Sequence, residues 1–247
     1  ITLDANSYAD SSGNLGTAGL SPAITLNTLA ASVVSTILSS ATGAQNSLLN
    51  GGDTLTATLV FSEAITLNAV VGSPKLALQI GSATVQATYA TGSGTNTYTF
   101  TTSIASGQTD TNGVSIAANG LSLNGSTLLN SLGNATTLLS SAISDNANYL
   151  VDTTAPTLTI TADKVNLRSA ETAAITFTFI EDPGSTFTWD GTSGDITVLE
   201  GTLSTLSGTG MTRTATFTPN SGIVNTSAHV SVNGANYLDA AGNSGSS

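Results

Sequence analysis

Apolar residues recur at every second position through much of this chain. In Thr54–Phe61, Leu55, Ala57, Leu59 and Phe61 fall on one side and threonines on most of the other. A period of two marks a strand with one face in a core. Ala174–Phe179 repeats the pattern with Ile175, Phe177 and Phe179. The same reading predicts strands at 75–80, 83–90, 96–104, 114–123, 157–162, 196–199, 211–218 and 227–232. Clusters of Gly, Asn, Asp and Ser separate them, as at 91–96, 105–113 and 190–195, and such clusters mark turns. Short strands at this spacing predict a sandwich or barrel. Leu29–Leu38 is the one helix-like stretch. It is small, β-branched and serine-rich, and it reads as an extended first strand.

The pattern also returns at long range. Tyr8-x-Asp10-x-x-Gly13-Asn14-x-Gly16 recurs as Tyr237-x-Asp239-x-x-Gly242-Asn243-x-Gly245, a shift of 229, with a degenerate copy, Asn130-x-x-Gly133-Asn134, between them. Gly52-Asp53-Thr54 through Phe61-Ser62-Glu63 recurs as Ala170-Glu171-Thr172 through Phe179-Ile180-Glu181, a shift of 118. Leu26–Ala31 matches Val151–Pro156 at a shift of 125. Ordered matches of this kind mark tandem units. Val151-Asp152-Thr153-Thr154-Ala155-Pro156 stands between two alternating blocks. Its proline forbids helix and extends Ala155, so the segment reads as a strap between modules.

The chain then divides into three parts. Residues 1–27 read as the tail of an upstream module, 28–152 as a complete module, and 153–247 as a module that stops before its last strand. Ala23–Leu26 reads as the closing strand of the upstream module. Two accounts of the open module compete. Its last strand lies further along a continuous array, or residues 20–28 of one subunit complete the last module of the next. The repeat pattern favours the first, because it needs nothing more.

Composition narrows the function classes. Hydrophobic residues make up 39% of the 247, enough for real cores and unlike a disordered chain. No apolar run approaches the roughly 18 residues of a membrane span. The net charge is −11, from fifteen acids against four bases. Nucleic acid and anionic membrane are therefore poor partners, since both are bound through Lys and Arg. Many acids lie in loops beside Gly and Asn, a placement that suits calcium, which takes oxygen ligands. Cysteine is absent, which excludes disulfides and thiolate metal sites. A cysteine-free, lysine-poor chain rich in Thr, Ser, Asn and Gly fits a bacterial surface or secreted protein.

The strap, the acid-plus-threonine entry to the second strand and the Tyr-x-Asp-x-x-Gly-Asn-x-Gly loop resemble the bacterial immunoglobulin-like repeats of large surface adhesins. Those are the type I-secreted, biofilm-associated proteins with extender repeats. The likeness spans nearly the whole chain and is strongest in 145–247. It is looser in 28–150, where Asn27, Ala31 and Asn130 stand in place of the expected Asp, Pro and Asp. The resemblance implies an all-β fold of tandem immunoglobulin-like Greek-key β-sandwiches. It further implies calcium at the junctions, a location on the bacterial cell surface, and a role holding an adhesive tip away from the cell.

In a seven-stranded Greek-key module, successive loops alternate between the two ends. Glu181 and Asp182 follow the second strand, and Asp239 and Asn243 precede the last. Both loops fall at the end where the strap brings in Asp152. Carboxylates gathered there repel one another and gain raised pKa values unless a cation sits among them. Calcium is expected, with Asn or backbone carbonyls completing its shell. From the first module, Asp110 with Asn112 and Asp145 with Asn146 face the same junction. The alternative is that these acids cap turns through nearby backbone amides. Asp53 and Glu171 begin strands at the opposite module ends and read as turn caps. At the first junction only Glu63 keeps its charge, so calcium is expected to bind weakly or not at all.

Other features carry less. His229 is the only histidine, so no zinc cluster or Cys–His pair forms within the chain. Glu181 and Asp182 are adjacent on one loop, a poor arrangement for flanking a glycosidic bond, and no enzyme is expected. Trp189 follows Phe187 at period two, and the pair is expected to bury against the core. Threonine faces such as 174–178 suit a solvent-facing strand. Glycosylation sequons stand at Asn124, Asn134 and Asn225. The expected partners are adjacent repeats or neighbouring subunits, with surface glycans as a further class. Rivals to the stalk are a self-assembling S-layer or filament subunit and a calcium-dependent carbohydrate-binding module.

Overall fold

A computed structural model describes residues 1–246 apart from 169, 223, 225 and 226. The sequon at Asn225 lies outside the described residues. Two short strands come first, β1 (Thr2–Leu3) and β2 (Gly19–Leu20). The middle block holds β3 (Val33–Thr42), β4 (Leu48–Leu49), β5 (Thr54–Asn68), β6 (Lys75–Ile80), β7 (Ala83–Thr91), β8 (Thr95–Ser103), β9 (Thr109–Asp110), β10 (Leu121–Ser122), β11 (Thr127–Asn130) and β12 (Leu150–Asp152). The last block holds β13 (Leu158–Ala162), β14 (Ala173–Phe179), β15 (Ile196–Leu199), β16 (Gly201–Leu203), β17 (Thr212–Pro219) and β18 (His229–Val232). A 3₁₀ turn at Gly234–Asn236 is the only helical element among the described residues.

The protein is an all-β, sandwich-like arrangement around two hydrophobic cores. In the middle block β5 is the centre. It pairs antiparallel with β3 and β8, and its far end pairs with β11. The sheet runs β10-β6-β7-β8-β5-β11. Leu55, Ala57, Leu59 and Phe61 are at most 1% exposed, as their alternation requires. Tyr98 and Phe100 of β8 pack beside them in the same core. Each such side chain contributes roughly 1.5–3 kcal/mol by leaving water. Opposite, β12 lies parallel to β4 and antiparallel to β9, and Val151 closes that side of the core.

In the last block the sheet β13-β14-β17-β16 faces the pair β15-β18. Phe177, Phe179, Phe187 and Tyr237 form one aromatic cluster, with neighbouring centroids 4.9–5.8 Å apart. Trp189 packs half-buried against that core, its indole N–H donating to the carbonyl of Leu203.

The structure corrects three predicted elements. Ala23–Leu26 forms no strand, and Ile24 and Leu26 are 79% and 81% exposed. Alternation alone does not make a strand without a sheet to join. The stretch 114–123 is broken: Val114 and Ile116 are buried, Asn119 turns at φ +58°, and β10 resumes at Leu121. The extended segment read at Leu29–Leu38 is a strand only from Val33, because residues up to Ala31 belong to the strap copy. In addition, β5 continues past Phe61 to Asn68, with a bulge against β8 between Val60 and Ile65.

Candidate metal centre

The loop before the end of the last block is built by its own hydrogen bonds. Asp239 N donates to the carbonyl of Asn243 at 3.1 Å, Gly242 N to that of Asp239 at 3.2 Å, and Gly245 N to that of Tyr237 at 2.9 Å. Asp239 Oδ1 accepts the amides of Ala241 and Asn243, each at 2.9 Å. Gly242 holds φ +88°, where glycine alone is free of strain. Tyr237 lies against Gly245, and a Cβ there would meet its ring at 2.3 Å. The Tyr237 hydroxyl donates towards the carbonyls of Ser246 and Pro156 at 3.2 and 3.4 Å, so the loop is tied to the strap.

The other two copies close in the same way. Asp10 N reaches the carbonyl of Asn14 and Asn130 N that of Asn134, both at 3.0 Å. Gly13 and Gly133 both hold φ +84°. The repeat seen in the sequence is thus a repeat of local structure.

Three carboxylates meet on this frame. Asp152 ends β12, Glu181 follows β14 and Asp239 sits in the loop, and one oxygen of each lies within 4.8 Å of the others. Asp239 is 7% exposed, and the other two are half-buried. Asn243 Nδ2 donates to the carbonyl of Asp152 at 3.0 Å and to Asp239 Oδ2 at 2.9 Å. Burial pushes the Glu181 carboxyl above its ordinary range, and the charges of Asp152 and Asp239 push it further.

The donor set fits a hard cation. All three side chains offer carboxylate oxygen, with no imidazole or thiolate. Two ligands each about 2.3–2.6 Å from one ion stand at most roughly 5 Å apart, and these oxygens meet that limit.

The remaining expected ligands sit elsewhere. Asp182 Oδ1 takes the Gly184 amide at 2.9 Å and pairs with the buried Arg213 at 3.2 Å. The Arg213 guanidinium also donates to the carbonyl of Gly184 at 3.0 Å. Asp110 is buried and accepts the amides of Gly81, Gly113 and Asn112 at 2.7, 2.8 and 3.2 Å. Asp145 takes a hydrogen bond from the Asn112 side chain. None of these three belongs to the cluster. Asp53 and Glu171 cap turns, accepting the amides of Asn50 and Arg168, each at 2.9 Å.

The first block also grips the loop through residues that sequence reasoning missed. Asn46 Nδ2 donates to the carbonyl of Ala240 at 2.9 Å and Asn50 Nδ2 to that of Ala241 at 3.0 Å. Thr153 Oγ1 accepts the Gly107 amide and donates to the carbonyl of Gln108, both at 2.9 Å. The one signal available was the turn chemistry of Gln45-Asn46 and Asn50-Gly51.

Residues 152–247 match the family model of the bacterial Ig-like domain. The match begins at Asp152 itself and takes in Glu181, Asp239 and the Tyr237–Gly245 loop. No curated protein matches the chain. The matched stretch coincides with the β13–β18 block and Asp152 of the strap. Among the described residues, no helix is long and apolar enough to cross a membrane.

Proposed function

We propose that the chain is a set of structural repeats from an extracellular bacterial surface protein, an extender whose second junction is stiffened by calcium. The observation that carries this reading is the position of the three carboxylates. They meet where the strap, carrying Asp152, reaches the second core, and there the first block already hydrogen-bonds the Asp239 loop. Asp152 belongs to β12, which pairs with β4 and β9 of the first block. Glu181 and Asp239 belong to the Ig-like module. A cation held by all three ties the two blocks together and removes freedom at the strap. Ca²⁺ supplies the charge that cancels their mutual repulsion. Asn243 holds the strap carbonyl to the loop, and Tyr237 anchors the loop to Pro156, so the ligands are positioned beforehand.

The test is calcium titration with two readouts, melting and small-angle scattering. A ligand that binds only the native state stabilises it by about 2.7 kcal/mol at a hundredfold excess over Kd. Expected are a higher Tm and a longer, narrower particle with calcium, both reversed by chelator. A melting curve and a scattering profile that ignore chelator sink the calcium-stiffened reading.

A further inference from the structure

A groove of about 730 Å³ opens between two loops of the last block, 180–195 ahead of β15 and 204–211 ahead of β17. Small-molecule sites run from roughly 300 to 1,000 Å³, with an apolar lining and a few placed polar groups. Trp189, Leu206 and the buried Phe187 supply the apolar lining here, and Asp182, Asp190 and Arg213 the charged groups. None of these residues belongs to the carboxylate cluster.

Both walls are tied by their own bonds. Trp189 bridges Gly194 antiparallel, and a Cβ on Gly194 would meet the Thr188 carbonyl oxygen at 2.3 Å. Asp190 closes the turn between them, its Oδ1 accepting the amides of Thr192 and Ser193 at 2.8 and 2.7 Å. Asp195 Oδ2 accepts the Thr188 amide at 2.6 Å. On the facing wall Ser207 bridges Thr214 antiparallel. The Trp189 indole is fixed at its N–H edge by the Leu203 carbonyl and left half-open. A site built this way has little ordering left to do when a ligand arrives.

The charged pair in this groove is only partly used. The Arg213 side chain is 8% exposed, yet only its Nη2 is engaged, with Asp182 Oδ1 and the Gly184 carbonyl. Among the described residues, Nε and Nη1 have no partner, and neither is sealed from solvent. A guanidinium carries five N–H donors, so an ion pair through one nitrogen leaves most of them free. Asp182 is spent in the same lopsided way. Its Oδ1 takes the Gly184 amide and Arg213, and its Oδ2 accepts nothing. The groove thus offers free donors, a free carboxylate oxygen and an indole held in place.

We propose that this groove binds a neutral sugar, a hexose unit of a surface glycan. A pyranose ring matches both halves of the lining. Its C–H face stacks on the indole. Its rim hydroxyls donate to Asp182 Oδ2 and accept from Arg213 Nε and Nη1. The charge balance selects a neutral ligand over an acidic one. Asp182 already cancels Arg213, and Asp190 adds a further negative charge to the same lining. The inference goes beyond the stalk reading and does not rest on calcium.

The test is a fluorescence titration of the full chain with the methyl glycosides of glucose, galactose, mannose and N-acetylglucosamine. Trp189 is the only tryptophan in the chain, so its emission reports this groove alone. The titration runs in chelator, where the outcome is independent of any ion at Asp152, Glu181 and Asp239. At least one glycoside should change the emission saturably, with Kd on the order of 1–10 mM. Asp182→Asn keeps an oxygen for the Gly184 amide and Arg213 and turns the free acceptor into a donor. It should weaken that binding about tenfold or more. Trp189→Phe leaves the Asp182–Arg213 pair intact and shrinks the stacking face. Saturation-transfer NMR should show its affinity for the same glycoside reduced severalfold. Emission that ignores all four glycosides, either variant binding as wild type does, or a response to glucuronate alone overturns the proposal.

Discussion

The two junctions of this chain are the same frame carrying different charge. At the second, Asn243 Nδ2 reaches the carbonyl of Asp152 at 3.0 Å. At the first, Asn134 Nδ2 reaches the carbonyl of Asn27 at 2.8 Å. The matching acid is Glu181, just past β14, in one and Glu63, within β5, in the other. What differs is its company. Glu181 meets Asp152 and Asp239, and its carboxyl is pushed up by burial and by both charges. Glu63 meets amides: Asn130 Nδ2 donates to Oε1 at 3.1 Å and Asn27 Nδ2 approaches Oε2 at 3.5 Å. The first junction satisfies one carboxylate with neutral donors. The second gathers three carboxylates within 4.8 Å of one another. Structure at a junction is thus set by the loop and strap, and the charge gathered there is set by two Asn/Asp choices.

Making the first junction resemble the second should have the largest effect. Asn27→Asp with Asn130→Asp removes both amide donors from Glu63 and adds two carboxylates, one at the buried position 130. Removing the partner of a buried charge costs about 3–5 kcal/mol. In chelator, melting of the first block should fall by on the order of 10 °C, and calcium should return much of it. A double variant that melts like wild type in chelator breaks the comparison.

The reverse exchange comes next. Asp152→Asn with Asp239→Asn gives the second junction the amides of the first. The calcium response should vanish, a loss of about 2.7 kcal/mol at a hundredfold excess over Kd. In chelator this variant should melt at or above wild type, since the repulsion is gone. Retained calcium stabilisation would move the site away from these residues. A smaller effect isolates the shared frame. Asn134→Ala and Asn243→Ala each remove a strap hydrogen bond, at about 1–2 kcal/mol, with or without calcium. Chemical denaturation of each block checks it, and a cost that appears only with calcium would make Asn243 part of the cation site alone.

Much of this arrangement was legible in the residues, and the rest was hidden for identifiable reasons. The strands of β5, β14 and β15 follow from alternation, because their faces have cores to meet. The meeting of Asp152, Glu181 and Asp239 follows from loop parity in a Greek key, which puts alternate loops at one end. The same parity brings Asp182 to that end, but it says nothing of Arg213. That residue is distant in sequence and reaches across from β17 to take the Asp182 charge. Asp110 and Asp145 were grouped by sequence position, while backbone amides of the 110–113 turn and the Asn112 side chain decide where their oxygens point. The clamp of Asn46 and Asn50 on the Asp239 loop left only a turn signal, since neutral side chains bonding to carbonyls carry no charge signature. Ala23–Leu26 has a strand's alternation, yet within one copy it lacks a sheet.

The smallest effect sharpens the comparison through pH. With burial and two neighbouring carboxylates raising Glu181 in the folded protein, the native state holds its proton to higher pH than the unfolded chain does. Between the two pKa values the native state carries more protons, so stability falls as pH rises through that window. In chelator, this contribution is present at the acidic end and lost towards neutrality. Glu181→Gln removes it, and the two proteins should differ in their pH–Tm slope just above the ordinary glutamate range. The size is under about 1 kcal/mol, because Glu181 is partly open to water and solvent screens its neighbours. Calcium reverses the sign. Protons then compete with the ion for the same oxygens, and acid weakens the junction. A Glu181→Gln protein whose pH–Tm slope in chelator matches that of wild type would mean that the charge around Glu181 does not mark out the second junction.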